Sequence, residues 1–359
     1  MSRKLLLSVA MVAMLAALTM IGTSSGGAGA QDDIRIAYVL HGLNDFTQTI
    51  KEGAEDAGAD LGVTVDVFGE AGFDIPTHQG FFESAIQAGY DGIALIPNGG
   101  DPWNALIQTA TDAGIPLASS NNVALNSTLQ MWVGQDEYNS GVLLAEEFLS
   151  QLEAGGVTEG TIVIGSCFPG NPVLDARSAG IRDVLSDTDF ELTVDQDTKL
   201  DNTDNYNIWD SLAIANADAV AMVGLCSLDP PNIAQVKERG GYEWLGAGYD
   251  LETPTLEAIS SGLIGVSAGQ QPYLQGYLPV LALVQELQTG TPITGWLEVP
   301  TDIVTAENVE DFKPREADDE VQRDFYAQYV AENFADLQAA ARPYDDLRVE
   351  PGAEATPEA

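Results

Sequence analysis

The sequence predicts an α/β protein made of two doubly wound parallel-sheet units in tandem. β-branched and apolar runs of strand length alternate with amphipathic stretches of helix length across short loops, a pattern that calls for a parallel sheet covered on both faces. The alternation lapses and then starts again at Thr161. A length of 359 residues gives each unit enough chain for its own core.

The elements follow in order. Segment 34–40 is a strand and 46–61 a helix; then come a strand over 63–68, a helix over 78–88, a strand over 92–96, a helix over 103–113 and a strand over 116–119. The second series opens with a strand over 161–165 and a helix over 175–186. It continues with a strand over 191–195, a helix over 206–215 and strands over 219–225, 244–249 and 264–268. Gly-Ile-Pro at 114–116 and Gly-Gly at 155–156 and 240–241 mark helix ends. Segment 315–341 is helix-like, with Val321, Phe325, Tyr329, Phe334 and Leu337 at helical spacing for docking, and 350–359 reads as a disordered tail.

The N-terminus reads as an export signal. Arg3 and Lys4 precede an apolar run over 5–21, then small residues ending in Ala28-Gly29-Ala30. Cleavage is expected after Ala30, so 1–30 is a signal peptide and the mature chain starts at Gln31; an uncleaved anchor is the competing reading. No cysteine follows the run to carry a lipid. The expected location is periplasmic or extracellular.

Fourteen Lys and Arg against 55 Asp and Glu give a formal charge of −41, which excludes partners that need a basic footprint, namely nucleic acid and anionic lipid. With 19% charged and 45% hydrophobic residues, the acidity reflects missing bases more than extra charge, and the chain is not disordered.

Ligands of open parallel sheets collect at the carboxyl ends of the strands. There the sequence places His41, Asn44 and Phe46, then Asn98, Asn121 and Asn122, then Cys167, Phe168, Cys226, Ser227, Asp250, Gln270 and Gln271. Amides donate and accept, a carboxylate accepts from two hydroxyls, and aromatic faces cover C–H surface, so these tips suit a small, neutral, polyhydroxylated ligand.

Over about 34–313 the chain resembles the ribose-type periplasmic sugar-binding proteins of ABC importers, a type I solute-binding protein family. IRIAYVLHGLNDFTQTIKEGAEDAG is similar to the family's opening strand and helix, and Asn44 and Phe46 fit its sugar-contacting positions. FPGNPVLDARSAGIRDVL resembles its loop and helix with an Arg three residues before a Gly, which points to Arg177 ahead of Gly180. LGAGYD matches a strand ending in a ligand carboxylate, Asp250, and SAGQQPYLQGYLPV a hinge stretch with a ligand Gln, Gln270. LEVPTDIVTAENVEDF is similar to the last crossover and tail. Thr47 stands where the family commonly has a second aromatic, Asn121-Asn122 where it often has Asp-Arg, and Cys226-Ser227 where it often has Asn-Asp.

The resemblance implies a three-strand hinge with crossovers near Asp136, Gln270 and Pro300. One lobe is then 31–136 plus 271–300, the other 137–270 plus 301–341 with a docked tail helix, and 342–359 is a disordered tail. It implies an exported, monomeric solute-binding protein that closes on a monosaccharide or related polyol and delivers it to the transmembrane subunits of an ABC permease. The ligand-binding set is His41, Asn44, Phe46, Asn98, Asn121, Asn122, Phe168, Arg177, Asp250 and Gln270, with no cofactor. The alternative is a sensory receptor for a small signalling molecule such as a sugar.

Plainer readings stand beside these. Arg177 reads also as a surface residue paired with a neighbouring acid such as Asp175, and Asp250 as a helix N-cap, a place for which Thr253 competes better. Trp103 reads equally as core or as a stacking wall, and His41 as a ligand contact or a structural group. His41 and His78, 37 residues apart and lacking a zinc spacing, predict no metal site. Cys167 and Cys226 end strands expected to be neighbours, and export favours a disulfide between them, two buried free thiols being the alternative. Without a G-x-S-x-G elbow, a P-loop or a G-x-G-x-x-G fingerprint, no enzyme is expected. A signal, rather than a basic helix-turn-helix, precedes the core, which disfavours a transcriptional regulator.

Overall fold

The computed structural model describes residues 34–347. The expected signal peptide (1–30) and the tail 350–359 lie outside the described residues. The chain begins β1 (Arg35–Val39), α1 (Asp45–Leu61), β2 (Thr64–Phe68), α2 (Ile75–Ala88), β3 (Gly92–Leu95), α3 (Asn104–Asp112), β4 (Leu117–Ser120), β5 (Met131–Gly134). It continues α4 (Glu137–Ala154), β6 (Glu159–Ser166), α5 (Pro172–Leu185), β7 (Asp189–Leu192), β8 (Gln196–Asp197), α6 (Asn202–Ala215), β9 (Ala221–Gly224), α7 (Asp229–Gly240). Then follow β10 (Leu245–Tyr249), α8 (Thr253–Ser260), β11 (Val266–Gly269), α9 (Pro272–Thr289), β12 (Gly295–Glu298), β13 (Asp302–Thr305), α10 (Val309–Ala317), α11 (Asp319–Asn333) and α12 (Leu337–Ala340).

Two sheets result, as expected of an α/β chain of this patterning. The first has order β12-β5-β4-β3-β1-β2 and is parallel throughout; the second has order β13-β11-β10-β9-β6-β7, with β8 beside β6, and only β13 runs antiparallel. Strands β3, β5 and β9 are buried along their whole length, because helices cover both faces. In each sheet the strand order reverses between two neighbours, β1 and β3 in the first and β6 and β9 in the second. A crevice opens at such a reversal. The chain passes between the sheets three times, after β5, after β11 and between β12 and β13.

One helix pair in each half packs backbone to backbone through glycines. On the first side α1 meets α9, where a Cβ on Gly53 or Gly276 would collide with a carbonyl of the opposite helix, that of Tyr273 or Ile50. On the second, Gly141 of α4 and Gly180 of α5 abut the carbonyls of Arg177 and Tyr138. The Arg-x-x-Gly spacing seen in the sequence therefore has a mechanical reason: Gly180 lets α5 lie against α4 and so sets where Arg177 points.

Several elements differ from the sequence reading. The strand expected over 191–195 lies at Asp189–Leu192, with Gln196–Asp197 pairing separately to β6. The helix-like stretch 315–341 is broken at Asp318, whose carboxylate caps α11 at the amides of Glu320 and Val321, and again at Phe334. Val321 and Phe325, expected to dock, are each 44% exposed. The docked face is instead that of Gln322 and Tyr326, because the Tyr326 ring stacks on Tyr273 at 4.6 Å and its hydroxyl donates to Gln271. With Arg323 paired to Asp56 and Asp60, α11 sits against α1 and α9, helices of the first sheet, rather than on the side with which 301–341 was grouped. Arg342 bridges to Trp296 of β12, so order persists past the start of the expected tail at 342.

Cys167 and Cys226 form a disulfide with Cα atoms 6.1 Å apart, joining the ends of β6 and β9 where the second sheet reverses. It closes a loop between residues 59 apart in sequence. Loop-closure entropy for a loop of that size is worth about 4 kcal/mol. Urea unfolding with and without a strong reductant is expected to show a loss of that order; superimposable curves would contradict it.

Candidate functional site

The carboxyl ends of both sheets face a cavity of about 540 Å³. All ten of the sequence's candidate ligand residues line it: His41, Asn44, Phe46, Asn98, Asn121, Asn122, Phe168, Arg177, Asp250 and Gln270. The disulfide forms part of the same wall. Trp103 does not line it; it is fully buried against Phe82, with its indole N–H on the carbonyl of Asn98, so the core reading holds.

Arg177 is the centre of the site. It is 2% exposed, so the surface reading fails, and its carboxylate partner is Glu137 of α4 at 2.6 Å rather than Asp175, which accepts instead from the amide of Gly170. The guanidinium also donates to the carbonyl of Leu225 at 2.8 Å and to Gln270 Oε1 at 3.2 Å, and lies over the Tyr249 ring at 4.1 Å. Burial opposes its charge, but Glu137, Tyr249 and Asp250 more than offset this and raise its pKa.

Asp250 and Gln270 form the floor beside it. Gln270 Nε2 donates to both carboxylate oxygens of Asp250 at 2.9 Å, while its Oε1 accepts from Asn121 at 3.0 Å. Asp250 is not a helix cap: the cap position of α8 is Glu252, with no side-chain bond, and Thr253 is already helical. Asp250 and Asn121 both have positive φ, 75° and 57°. That is an uncommon conformation outside glycine, tolerated best by Asn and Asp. Burial pushes the Asp250 carboxyl up from 3.8 to about 7, against the pull of Arg177.

The first-sheet wall is a run of amides. Asn122 donates to Asn121 Oδ1 at 2.8 Å, and Asn98 Nδ2 is buried without a partner among the described residues. Asn44 caps α1 by accepting from the amide of Thr47, whose hydroxyl accepts the amide of Asn44 in return. This explains Thr47 where an aromatic was the family expectation. His41 lies edge-on to Phe46 and Phe73, its Nδ1 is unpaired, and burial, with His78 nearby, drives its pKa down to about 3. It is a neutral imidazole. Among the described residues no group of His, Cys, Asp and Glu is arranged to hold a metal.

Two residues outside the expected ligand set, Asn171 of the strand-tip segment 167–171 and Phe73, join the halves across the mouth. Asn171 accepts from the amide of Val173 as the N-cap of α5 and donates its Nδ2 to Asn98 Oδ1 at 2.9 Å and Asn122 Oδ1 at 2.7 Å. Phe73 meets Phe168 edge-on at 5.8 Å. The signal for Asn171 was present, an Asn directly before the Pro that opens a helix; its reach across the cleft was not.

A family model described as a periplasmic binding protein domain matches residues 36–292. The chain is 25% identical to a xylose/arabinose-binding protein of Sulfolobus acidocaldarius over 72% of its own length and 67% of the relative's. It is 21% identical to a ribose import binding protein of Haemophilus influenzae over 72% and 86% of the two chains. A solved carbohydrate-transporter solute-binding protein from Agrobacterium radiobacter, in complex with D-arabinose, shares the fold with a TM-score of 0.74 and 22% identity, covering 79% of this chain and 98% of that one.

The raised pKa of Asp250 has a testable sign. The folded protein keeps a proton that the unfolded chain releases above about 3.8, so this group's contribution to stability falls as pH rises from there to about 7. Asp250→Asn removes the titration. Relative to the parent, the unliganded variant is expected to gain stability progressively between pH 4 and 7 and level off above; a difference independent of pH in parallel urea titrations would overturn the assignment.

Proposed function

The chain belongs to the periplasmic binding protein domain family, and from that premise we propose that it is an exported receptor for a monosaccharide or related polyol, binding without chemistry and handing its ligand to an ABC permease. The single observation that carries the ligand class is the cavity's polar lining: six asparagines, a glutamine, a serine, a neutral histidine, two aspartates and one arginine already balanced by Glu137. Such a set pairs with hydroxyls, each of which both donates and accepts. An anionic ligand would have to displace the Glu137 pairing, because Arg177 is the cavity's one lining base.

Contacts from both sheets to one ligand supply the differential affinity that closure needs, since only a ligand bound better in the closed state shifts that equilibrium. We assign the contacts to Asn44, Asn98, Asn121, Asn122, Arg177, Asp250 and Gln270, with Phe46 and Phe168 covering ring faces and His41 at the edge. Relatives named for import or for binding pentoses favour delivery over the sensory alternative.

A melting screen over pentoses, hexoses, polyols and nucleosides tests the reading. A ligand at a hundred times its Kd adds about 2.7 kcal/mol of stability. We expect a monosaccharide or polyol to raise Tm and Asp250→Asn to erase the shift; a shift of equal size in that variant would remove Asp250 from the site. Arg177→Ala is a poorer probe, because stranding Glu137 in the interior is expected to cost about 3–5 kcal/mol by itself.

A further inference from the structure

The two walls of the cavity differ in chemistry. The first-sheet wall and the hinge floor carry the amides of Asn44, Asn98, Asn121, Asn122 and Gln270 and the Asp250 carboxylate, interleaved with His41, Leu43, Phe46 and Phe73, and there Asn98 Nδ2 is buried without a partner among the described residues. The opposite wall, at the reversal of the second sheet, is the Cys167–Cys226 disulfide flanked by Phe168, Val173, Leu200 and Leu228. Sulfur in a disulfide donates no hydrogen bond and accepts weakly. Several polar atoms on that side are already engaged, since Asp201 Oδ1 caps α6, Asn202 Oδ1 accepts from Asn232, and Asn171 is committed to Asn98 and Asn122; Ser227 and the exposed Asp201 and Asn202 lie towards the rim. A sugar hydroxyl turned towards this wall would give up its bonds to water for little in return, at a cost of roughly tenfold or more in affinity.

Volume points the same way. A hexose has about twelve non-hydrogen atoms, and at one water's share of about 30 Å³ for each it fills at most about 360 Å³. The cavity, open to solvent along one side, holds about 540 Å³. Resting on the sugar-binding reading above, we infer that the preferred ligand is a glycoside: a sugar ring held by the amides, the carboxylate and Arg177, carrying an apolar alkyl or aryl group that seats against the disulfide wall. A nucleoside fits less well, because the donors and acceptors on the edge of its base would face the same sulfur and leucines.

The experiment is calorimetric titration with the best free sugar from the screen and with its methyl, propyl and phenyl glycosides in both anomers. In one anomer, affinity is expected to rise about fourfold per buried methylene. Leu200→Asn and Leu228→Asn are expected to reduce the ratio of glycoside to free-sugar affinity by tenfold or more. A free sugar that binds at least as tightly as all its glycosides would overturn the inference and leave the sugar reading standing. A glycoside preference unchanged in both variants would overturn the placement of the apolar group. If neither sugars nor glycosides bind, the sugar reading itself falls.

Discussion

A guanidinium buried to 2% exposure is the constraint around which the rest of the site is arranged. Removing a charge from water costs several kcal/mol, recovered only where geometry and additional hydrogen bonds are good. Arg177 has these in Glu137, the Leu225 carbonyl, Gln270 and the Tyr249 face. Each partner comes from a different place in the chain, and each must arrive within hydrogen-bond reach. The close approach of α4 and α5 through Gly141 and Gly180 brings Glu137 to Arg177, and the pairing of β6 with β9 delivers Leu225. Glu137 opens α4, where the helix dipole favours a carboxylate.

The same pair reaches all three passages between the sheets. Glu137 accepts from Gln135 at 2.8 Å, just past β5; Gln135 accepts from Thr301 at 2.8 Å, in the passage before β13; and Arg177 bonds Gln270, just past β11. Arg177, Asp250 and Gln270 therefore belong to a continuous polar network that reaches every passage between the sheets. Such networks hold one geometry well when all their members are satisfied; here Glu137 Oε1 is buried without a partner among the described residues. At the far side of the cavity, Asn171 and the Phe73–Phe168 contact hold the mouth. The bonds at the mouth join neutral groups, whereas those at the hinge carry charge.

The sequence made the strand tips legible, because short apolar runs bounded by polar loops mark where parallel strands end, and the tips of both sheets converge by topology alone. That is why His41, Asn98, Asn121, Asn122 and Asp250 are readable from the sequence as a set. What decides their energetics was not readable. The partner of Arg177 is 40 residues away on another helix, while Asp175, two residues away, looked equally suitable. Asn171 carried the mark of a helix cap, made by its Oδ1, and nothing to say that its Nδ2 donates across the cleft. The tail was legible in part: it docks, with Phe334 and Leu337 buried, but ring stacking of Tyr326 on Tyr273 and the pairing of Arg323 with Asp56 and Asp60 turn the helix so that Val321 and Phe325 stay at the surface.

The acidity of the chain takes on a narrower meaning at the site. A charge of −41 would repel an anionic ligand at long range whatever the cleft looked like. Inside the cleft, Arg177 is already matched by Glu137, and Asp250 adds a carboxyl whose charge is disfavoured by burial. A ligand hydroxyl that donates to Asp250 stabilises its ionised form and lowers its pKa, so ligand binding and proton release are linked around neutral pH. The raised pKa of Asp250 and the pull that a donating hydroxyl would exert on it thus have one cause: a carboxylate placed where burial disfavours its charge and the nearest positive charge is already shared.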